Sequence, residues 1–202
     1  MNRTEILNIL AERYGYQRFL EIGVKSGINM RTVLCDYKVG VDPDRHARGA
    51  THRMFSDEFF ASNDEKFDLV FIDGDHSEEQ VTKDVNNALS VLMDGGAIVM
   101  HDCNPPDEWS QRPASEFKGK RGERWNGTAW RSYMDLRAEN SELNMCVVDC
   151  DEGVGVIRKG LQERVVLPEP LTYGDLTANR VNYLNLVQPS DFISWLGAID
   201  EK

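Results

Sequence analysis

The residue types best suited to moving protons or holding a cation fall into two short clusters. The first is Asp73, Asp75 and His76; the second is His101 and Asp102. An imidazole titrates near neutral pH, so a histidine beside a carboxylate is a pairing that general acid–base catalysis uses. Two carboxylates brought close together resist joint ionisation unless a cation or an imidazolium lies between them. The clusters therefore admit two chemistries. In one, Asp73 and Asp102 hold a Mg²⁺ ion, which takes oxygen ligands and keeps waters that a substrate can displace. In the other, His76 or His101 serves as the base without a metal.

Each cluster ends an apolar run. Phe67 to Ile72 is almost continuously apolar, as expected of a strand covered by helices on both faces. Ala97 to Met100 is a second such strand. Between them, Val81, Val85, Ala88 and Leu92 recur at helical spacing, predicting a helix over 78–93 that Gly95 and Gly96 end. Two neighbouring parallel strands lie about 4.8 Å apart. Ligands of open parallel sheets bind beyond the carboxyl ends of the strands, where both clusters then fall.

Upstream, a helix is expected from Thr4 to Tyr14. A strand over 18–22 follows, then the turn Glu21-Ile22-Gly23-Val24-Lys25-Ser26-Gly27, and a helix over 29–34. A second strand, 37–41, ends at Asp42, where an acid can accept hydrogen bonds from ribose hydroxyls. The glycine spacing separates ligand classes. A dinucleotide fingerprint starting at Gly23 needs glycines at 25 and 28, where Lys25 and Ile28 stand. With no dense glycine cradle for a pyrophosphate, a ligand with an amino-acid tail and one nucleoside fits better. A short strand near 53–55 leads into Ser56-Asp57-Glu58, read as a helix N-cap. Thr128 is placed to cap a helix carrying Trp130, Tyr133 and Met134. Strands over 143–148 and 154–157 flank an Asp151-Glu152-Gly153 turn and predict a closing hairpin. A helix is expected over 191–196.

Asn104 to Asn126 is long, polar and rich in proline and glycine, and is expected to form a lid or acceptor platform. It holds Trp109 and Trp125 and is locally basic through Lys118, Lys120, Arg121 and Arg124, which fits an anionic acceptor. The chain of 202 residues suits one α/β domain, with a core over about 15–160 and a C-terminal extension over 160–202. Its net charge of −11 argues against binding nucleic-acid backbones and for a small-molecule ligand. Cys35, Cys103, Cys146 and Cys150 lack CxxC spacing and read as reduced thiols. With no bilayer-length apolar run and no signal-peptide architecture, a cytoplasmic protein without membrane contacts is expected.

Four stretches in order, FLEIGVKSG, VGVDPD, FDLVFIDGDH and MDGGAIVMHD, resemble the motifs of class I S-adenosylmethionine (SAM)-dependent methyltransferases. The closest likeness is to a small bacterial group with an IDGDH signature. WNGTAWRSYMDLR and VVDCDEGVGVIRKG are loosely similar to group members found with glycosyl-transfer genes. The resemblance implies a Rossmann-like doubly wound sheet of seven strands, order 3-2-1-4-5-7-6, with strand 7 antiparallel. It places Glu21, Gly23 and Gly27 on the methionine side of SAM and Asp42 at the ribose. Ser56 and Asp57 fall near the adenine, and Asp73, Asp75 and His76 beside the cofactor. The site also resembles cation-dependent O-methyltransferases, which use two aspartates and an asparagine as metal ligands. Asp73 and Asp102 match the aspartates, but Cys103 stands where the asparagine would be, with Asn104 one residue late. The expected activity is methyl transfer, directed to oxygen, on a small polar, sugar-like or anionic acceptor, with Asp73, His76, His101 and Asp102 at the reacting end. A SAM-binding module without catalysis and a nicotinamide-dependent oxidoreductase on a similar sheet are the alternatives; the sequence leaves the oligomeric state open.

Overall fold

The apolar runs separated by helical periodicity become the strands of a twisted mixed sheet. A computed structural model of the chain describes residues 1–118 and 123–200. Lys120 and Arg121 of the basic loop lie outside the described residues. The strands are β1 (Arg18–Ile22), β2 (Tyr37–Val41), β3 (Phe67–Ile72), β4 (Leu92–Met100), β5 (Leu143–Val148), β6 (Val154–Lys159) and β7 (Leu186–Val187), in the order β2-β1-β3-β4-β6-β5-β7. β1 to β4 are mutually parallel, whereas β6 is antiparallel to both β4 and β5. This is the expected Rossmann-like order with its antiparallel strand. The place of the family's third strand is marked by a single parallel bridge between Val41 and His52. The short β7, pairing parallel to β5, completes the opposite edge.

The helices are α1 (Arg3–Tyr14), α2 (Ile28–Thr32), α3 (Ser56–Ser62), α4 (Glu78–Val91), α5 (Ala129–Glu139), α6 (Tyr173–Leu184) and α7 (Phe192–Asp200). Strand alternation divides the core into two layers. Leu20, Val70, Ile72, Ile98 and Met100 face one way, against Val81, Val85, Trp130 and Leu176 of α4, α5 and α6. Phe19, Leu69, Phe71 and Val99 face the other, against Leu7 and Leu10 of α1 and Phe192 and Leu196 of α7. Trp130 is fully buried in the first layer.

Several local expectations change. Gly95 and Gly96 do not end α4; the helix stops at Val91 and both glycines lie inside β4. There Gly96 serves close contact between strands, since a Cβ on it would lie 2.7 Å from the Asp68 carbonyl oxygen, while Gly95 takes a left-handed φ of 79°. Ser56 is the first helical residue of α3, not its cap, which is Phe55. Thr128 precedes α5 but does not cap it; its hydroxyl accepts from the Glu78 N–H (2.8 Å) and so ties α5 to α4. The α6 helix and β7 lie in the C-terminal extension, ahead of α7, which is the helix expected over 191–196. Among the described residues, no helix is long and apolar enough to cross a membrane.

Candidate active site

Strand register brings the two clusters together. Ile72 pairs with Met100, and the His101 N–H donates to the Ile72 carbonyl (3.1 Å), so Asp73 and His101 leave adjacent strands side by side. The hairpin adds a residue that the linear reading treated only as a turn. Asp151, Glu152 and Gly153 all have left-handed φ, and a Cβ on Gly153 would lie 2.3 Å from the Asn104 N. Glycine therefore lets the hairpin press on the exit of β4, where Cys103 and Asn104 donate their N–H groups to the Gly153 and Glu152 carbonyls (3.0 Å each). That contact delivers Asp151 to the cluster.

Six charged or titratable groups result. His76 Nδ1 lies 2.9 Å and His101 Nδ1 3.2 Å from the same oxygen, Asp102 Oδ2. Asp73 Oδ1 is 3.6 Å from His76 Nε2 and 3.4 Å from His101 Nδ1. Asp151 Oδ1 is 3.7 Å from His101 Nε2. Arg3, at the start of α1, donates from Nη1 to Asp73 Oδ2 (3.1 Å) and lies 2.7 Å from His101 Nε2, while its Nε and backbone N both face Asp151 Oδ2 (3.3 and 2.9 Å). The other Asp102 oxygen accepts from Asn126 Nδ2 (2.6 Å).

Electrostatics follow from this packing. Burial alone would lower the pKa of both histidines, but the carboxylates outweigh it, raising His76 and holding His101 well above its ordinary value. Asp102 resists the upward push of burial because both imidazoles hold it far below the usual carboxylate range. Asp151 is held at about 2, mainly by the neighbouring His101 ring and further by Arg3. The Arg3 contact at His101 Nε2 pulls the other way, since Nε2 can accept only in a neutral imidazole. Three carboxylates against one guanidinium favour the charged ring.

The loop after β4 supports the cluster. Trp125 stacks on the His76 ring at a centroid distance of 4.7 Å and an interplanar angle of 2°, with Phe117 on its other face at 5.0 Å. The Trp125 indole N–H donates to the Arg112 carbonyl (2.8 Å), and the Thr128 N–H to the His76 carbonyl (2.7 Å). The loop is thus tied to a catalytic candidate. Trp109 is exposed, with the Arg112 guanidinium over its ring. Lys118 is exposed and Arg124 lies 3.6 Å from Glu152.

The glycine turn forms beside this cluster. A Cβ on Gly23 would lie 2.2 Å from the Asp73 carbonyl oxygen, so only glycine allows β1 and β3 to end this close. Asp42 Oδ2 accepts from the Val24 and Lys25 N–H groups (2.9 Å each), and Oδ1 from the Asp44 N–H (2.8 Å). Asp42 therefore shapes the turn, with carboxylate lone pairs left over for a ligand hydroxyl. Glu21 is buried, and burial pushes its carboxyl to about 8. Its Oε1 accepts from Asn29 Nδ2 (2.8 Å), itself held by Thr4, but Oε2 is buried without a partner. An orphaned acid oxygen beside a glycine turn fits the ammonium of a bound amino acid.

Other expected residues stand apart. Asp75 is exposed and accepts from the Ser77 N–H (2.7 Å), a helix-entry role outside the cluster. Ser56 and Asp57 both accept from Gln80 Nε2 (3.2 and 2.9 Å), near Asp84, a buried acid on α4 raised to about 6 by burial. Cys103 points into the core, where burial pushes its thiol far up. Asn104 cannot replace it, because its amide donates to Asp149 and accepts from Arg180. The all-oxygen cation site of the aspartate–aspartate–asparagine type is therefore incomplete. A cavity of about 400 Å³ adjoins the cluster at Asp151 and is lined also by Asn104, Pro106, Arg124 and Arg180. A wider hollow of about 640 Å³ lies at Ser77, Glu79, Thr82 and Thr128 and touches none of the cluster side chains.

Arg3, Asn126, Trp125 and Asp151 were not assigned to the cluster by motif. Topology offers a signal for two of them. A helix antiparallel to β1 starts at the strand's carboxyl end, and the turn opening β6 lies where β4 ends.

The fold is the Rossmann-like fold of class I SAM methyltransferases. Residues 20–103 match the model of a family described as a methyltransferase domain. Among solved structures, TomG from Streptomyces achromogenes, an O-methyltransferase of tomaymycin synthesis in complex with SAM, superposes with a TM-score of 0.57 at 16% identity, over 78% of this chain and 79% of that one. A putative O-methyltransferase from Klebsiella pneumoniae gives 0.56 at 16% identity, over 78% and 80%. An O-methyltransferase from Bacillus cereus in complex with SAH gives 0.53 at 13%, over 78% and 80%. No curated protein sequence matches significantly.

Proposed function

We propose that this protein is a SAM-dependent methyltransferase that transfers to oxygen on a small polar or sugar-like acceptor. The observation that carries this reading is the junction of two sites at one sheet edge: the Glu21–Gly23–Asp42 turn meets the Asp73–His76–His101–Asp102 cluster through the Gly23–Asp73 contact. The cofactor, when bound, supplies a methyl carbon already activated by a sulfonium. Glu21 takes its ammonium, Gly23 and Gly27 let the backbone approach, and Asp42 accepts from the ribose; Ser56 and Asp57 lie on the adenine side. The chain's remaining work is to position a hydroxyl and remove its proton. Asp102 holds both imidazoles, Asn126 holds Asp102, and His76 in its neutral form takes the proton, while the charged His101 stays between the carboxylates. The acceptor enters from the cavity at Asp151.

Calorimetric titration with SAM, SAH and NAD tests this. Saturable binding of SAM and SAH without NAD is expected. NAD binding in their place would return the oxidoreductase reading, and SAM binding without methyl transfer to any of a panel of hydroxylated acceptors would leave a binding module.

A further inference from the structure

The α6 helix carries an arginine where its apolar stripe would place a core residue. Leu176 and Leu184 are fully buried, and Arg180 stands four residues from each. We propose that Arg180 is an anion anchor for the acceptor: it holds the carboxylate of a small hydroxylated acid whose hydroxyl points to the histidine cluster. The role of this subsite rests on the methyl-transfer reading, but its test reads acceptor binding alone, so the two can fail separately.

The side chain is fixed yet keeps donors to spare. Arg180 Nη1 donates to Asn104 Oδ1 and to the Pro105 carbonyl, the latter at 3.0 Å, and Nη2 donates to the Tyr173 hydroxyl at 3.1 Å. All three acceptors are neutral, and Arg180 has no carboxylate partner among the described residues. A guanidinium has five N–H donors, so the Nε–H and one Nη2–H are left over. Nε and Nη2 form one edge of the planar fork, which a carboxylate meets with both of its oxygens.

Position gives this edge its use. Arg180 lines the cavity of about 400 Å³ that adjoins the cluster at Asp151, a volume suited to a small ligand. Its supports, Asn104 and Pro105, come directly after Asp102 and Cys103, so one short segment holds both the guanidinium and the cluster. The other charges of the lining are already answered. Asp151 faces Arg3 and His101, and Glu152 lies 3.6 Å from Arg124. Asp149 is exposed and takes the side-chain amides of Asn104 and Gln188. Arg180 is the lining cation left without a counter-charge among the described residues. The acids around it disfavour a dianion, which selects a single carboxylate over a phosphate.

Calorimetry of the full-length protein, saturated with SAH and again without it, compares glucuronate and mandelate with their neutral primary amides. At least one acid is expected to bind about tenfold or more tightly than its amide, as a charge-assisted bidentate pair allows. Arg180→Met should abolish that difference while SAM affinity holds. Arg180→Lys should restore only part of it, because an ammonium lacks the planar fork. Arg124→Met should leave it intact. No binding, equal binding of acid and amide in both pairs, a preference that survives Arg180→Met, or one lost in Arg124→Met instead would overturn the anchor. Should Arg180→Met fail to fold, the arginine ¹⁵Nε signals of the wild type decide. The signal assigned by its loss in Arg180→Lys must move with the acid and not with its amide; an unmoved signal counts against the proposal. Failure of SAM and SAH to bind would remove the methyl-transfer reading and leave the acid preference standing.

Discussion

Replacing Glu21 with glutamine should reverse the sign of its effect on stability between pH 5 and pH 8. The carboxyl is 2% exposed, with burial the main cause of its rise to about 8 from 4.5, partly offset by Asn29. A carboxyl whose folded pKa lies above its unfolded value is fully tolerated below the unfolded value. It costs stability as pH rises toward the folded value, because the unfolded chain releases the proton first. At 1.36 kcal/mol per unit, the cost is less than about 1 kcal/mol at pH 5, about 3 at pH 7 and about 5 above pH 8. The substituted glutamine would keep the Asn29 bond but leave its amide in the place of the unpartnered Oε2, a penalty of about 1–3 kcal/mol. Glu21→Gln should therefore be neutral or destabilising at pH 5, neutral to about 2 kcal/mol stabilising at pH 7 and about 2–4 kcal/mol stabilising above pH 8. For a chain of this length the gain at pH 7 raises Tm by up to roughly 8 °C. Thermal melts of both proteins at pH 5, 7 and 8.5 check it. Parallel pH dependences in the two would refute a buried, proton-holding Glu21. The same residue links stability to function: an ammonium docked on Glu21 favours the carboxylate, so SAM binding to wild type at pH 7 should release protons, read as a buffer-dependent heat that Glu21→Gln lacks.

Further outcomes follow from the same contacts. Asp42→Ala orphans the Val24, Lys25 and Asp44 N–H groups, and should cost about 2–4 kcal/mol in a urea melt and weaken SAM at least about tenfold by calorimetry. Trp125→Ala unstacks His76 and should lower turnover by about tenfold while SAM affinity holds, measured by SAH release with any accepted acceptor; unchanged turnover removes Trp125 from the positioning of the ring. Gly27→Ala meets the Arg48 carbonyl oxygen at 1.7 Å in a left-handed conformation, and should lose at least about 2 kcal/mol by chemical denaturation.

Much of the frame was legible because parallel strands buried on both faces leave an unmistakable pattern. Phe67 to Ile72 and Ala97 to Met100 announce themselves, and their exits carry the acids and histidines that strand register then places together. The glycine turn and Asp42 were readable for a similar reason: tight backbone approach and a carboxylate at a strand end are local requirements. Long-range contacts were not readable. Arg3 reaches Asp73 and His101 because α1 runs antiparallel to β1. Asp151 arrives because Gly153 lets a hairpin press on β4, and Asn126 because its loop folds back over His76. The α6 helix was missed because its apolar stripe is narrow and its interior holds a non-helical Asn179. Gly95 and Gly96 misled because glycines end helices and also serve inside strands, where Gly95 supplies a left-handed φ and Gly96 a close approach to Asp68 that only the neighbouring strand reveals.

The central claim is that the cofactor's methyl faces the acid–histidine cluster. Bound SAM labelled with ¹³C at the methyl group tests it by isotope-edited NMR. Through-space contacts from that methyl to the ring protons of His76 or His101, lost in Asp42→Ala, are predicted. Saturable SAM binding with the methyl in contact with neither ring would contradict the account.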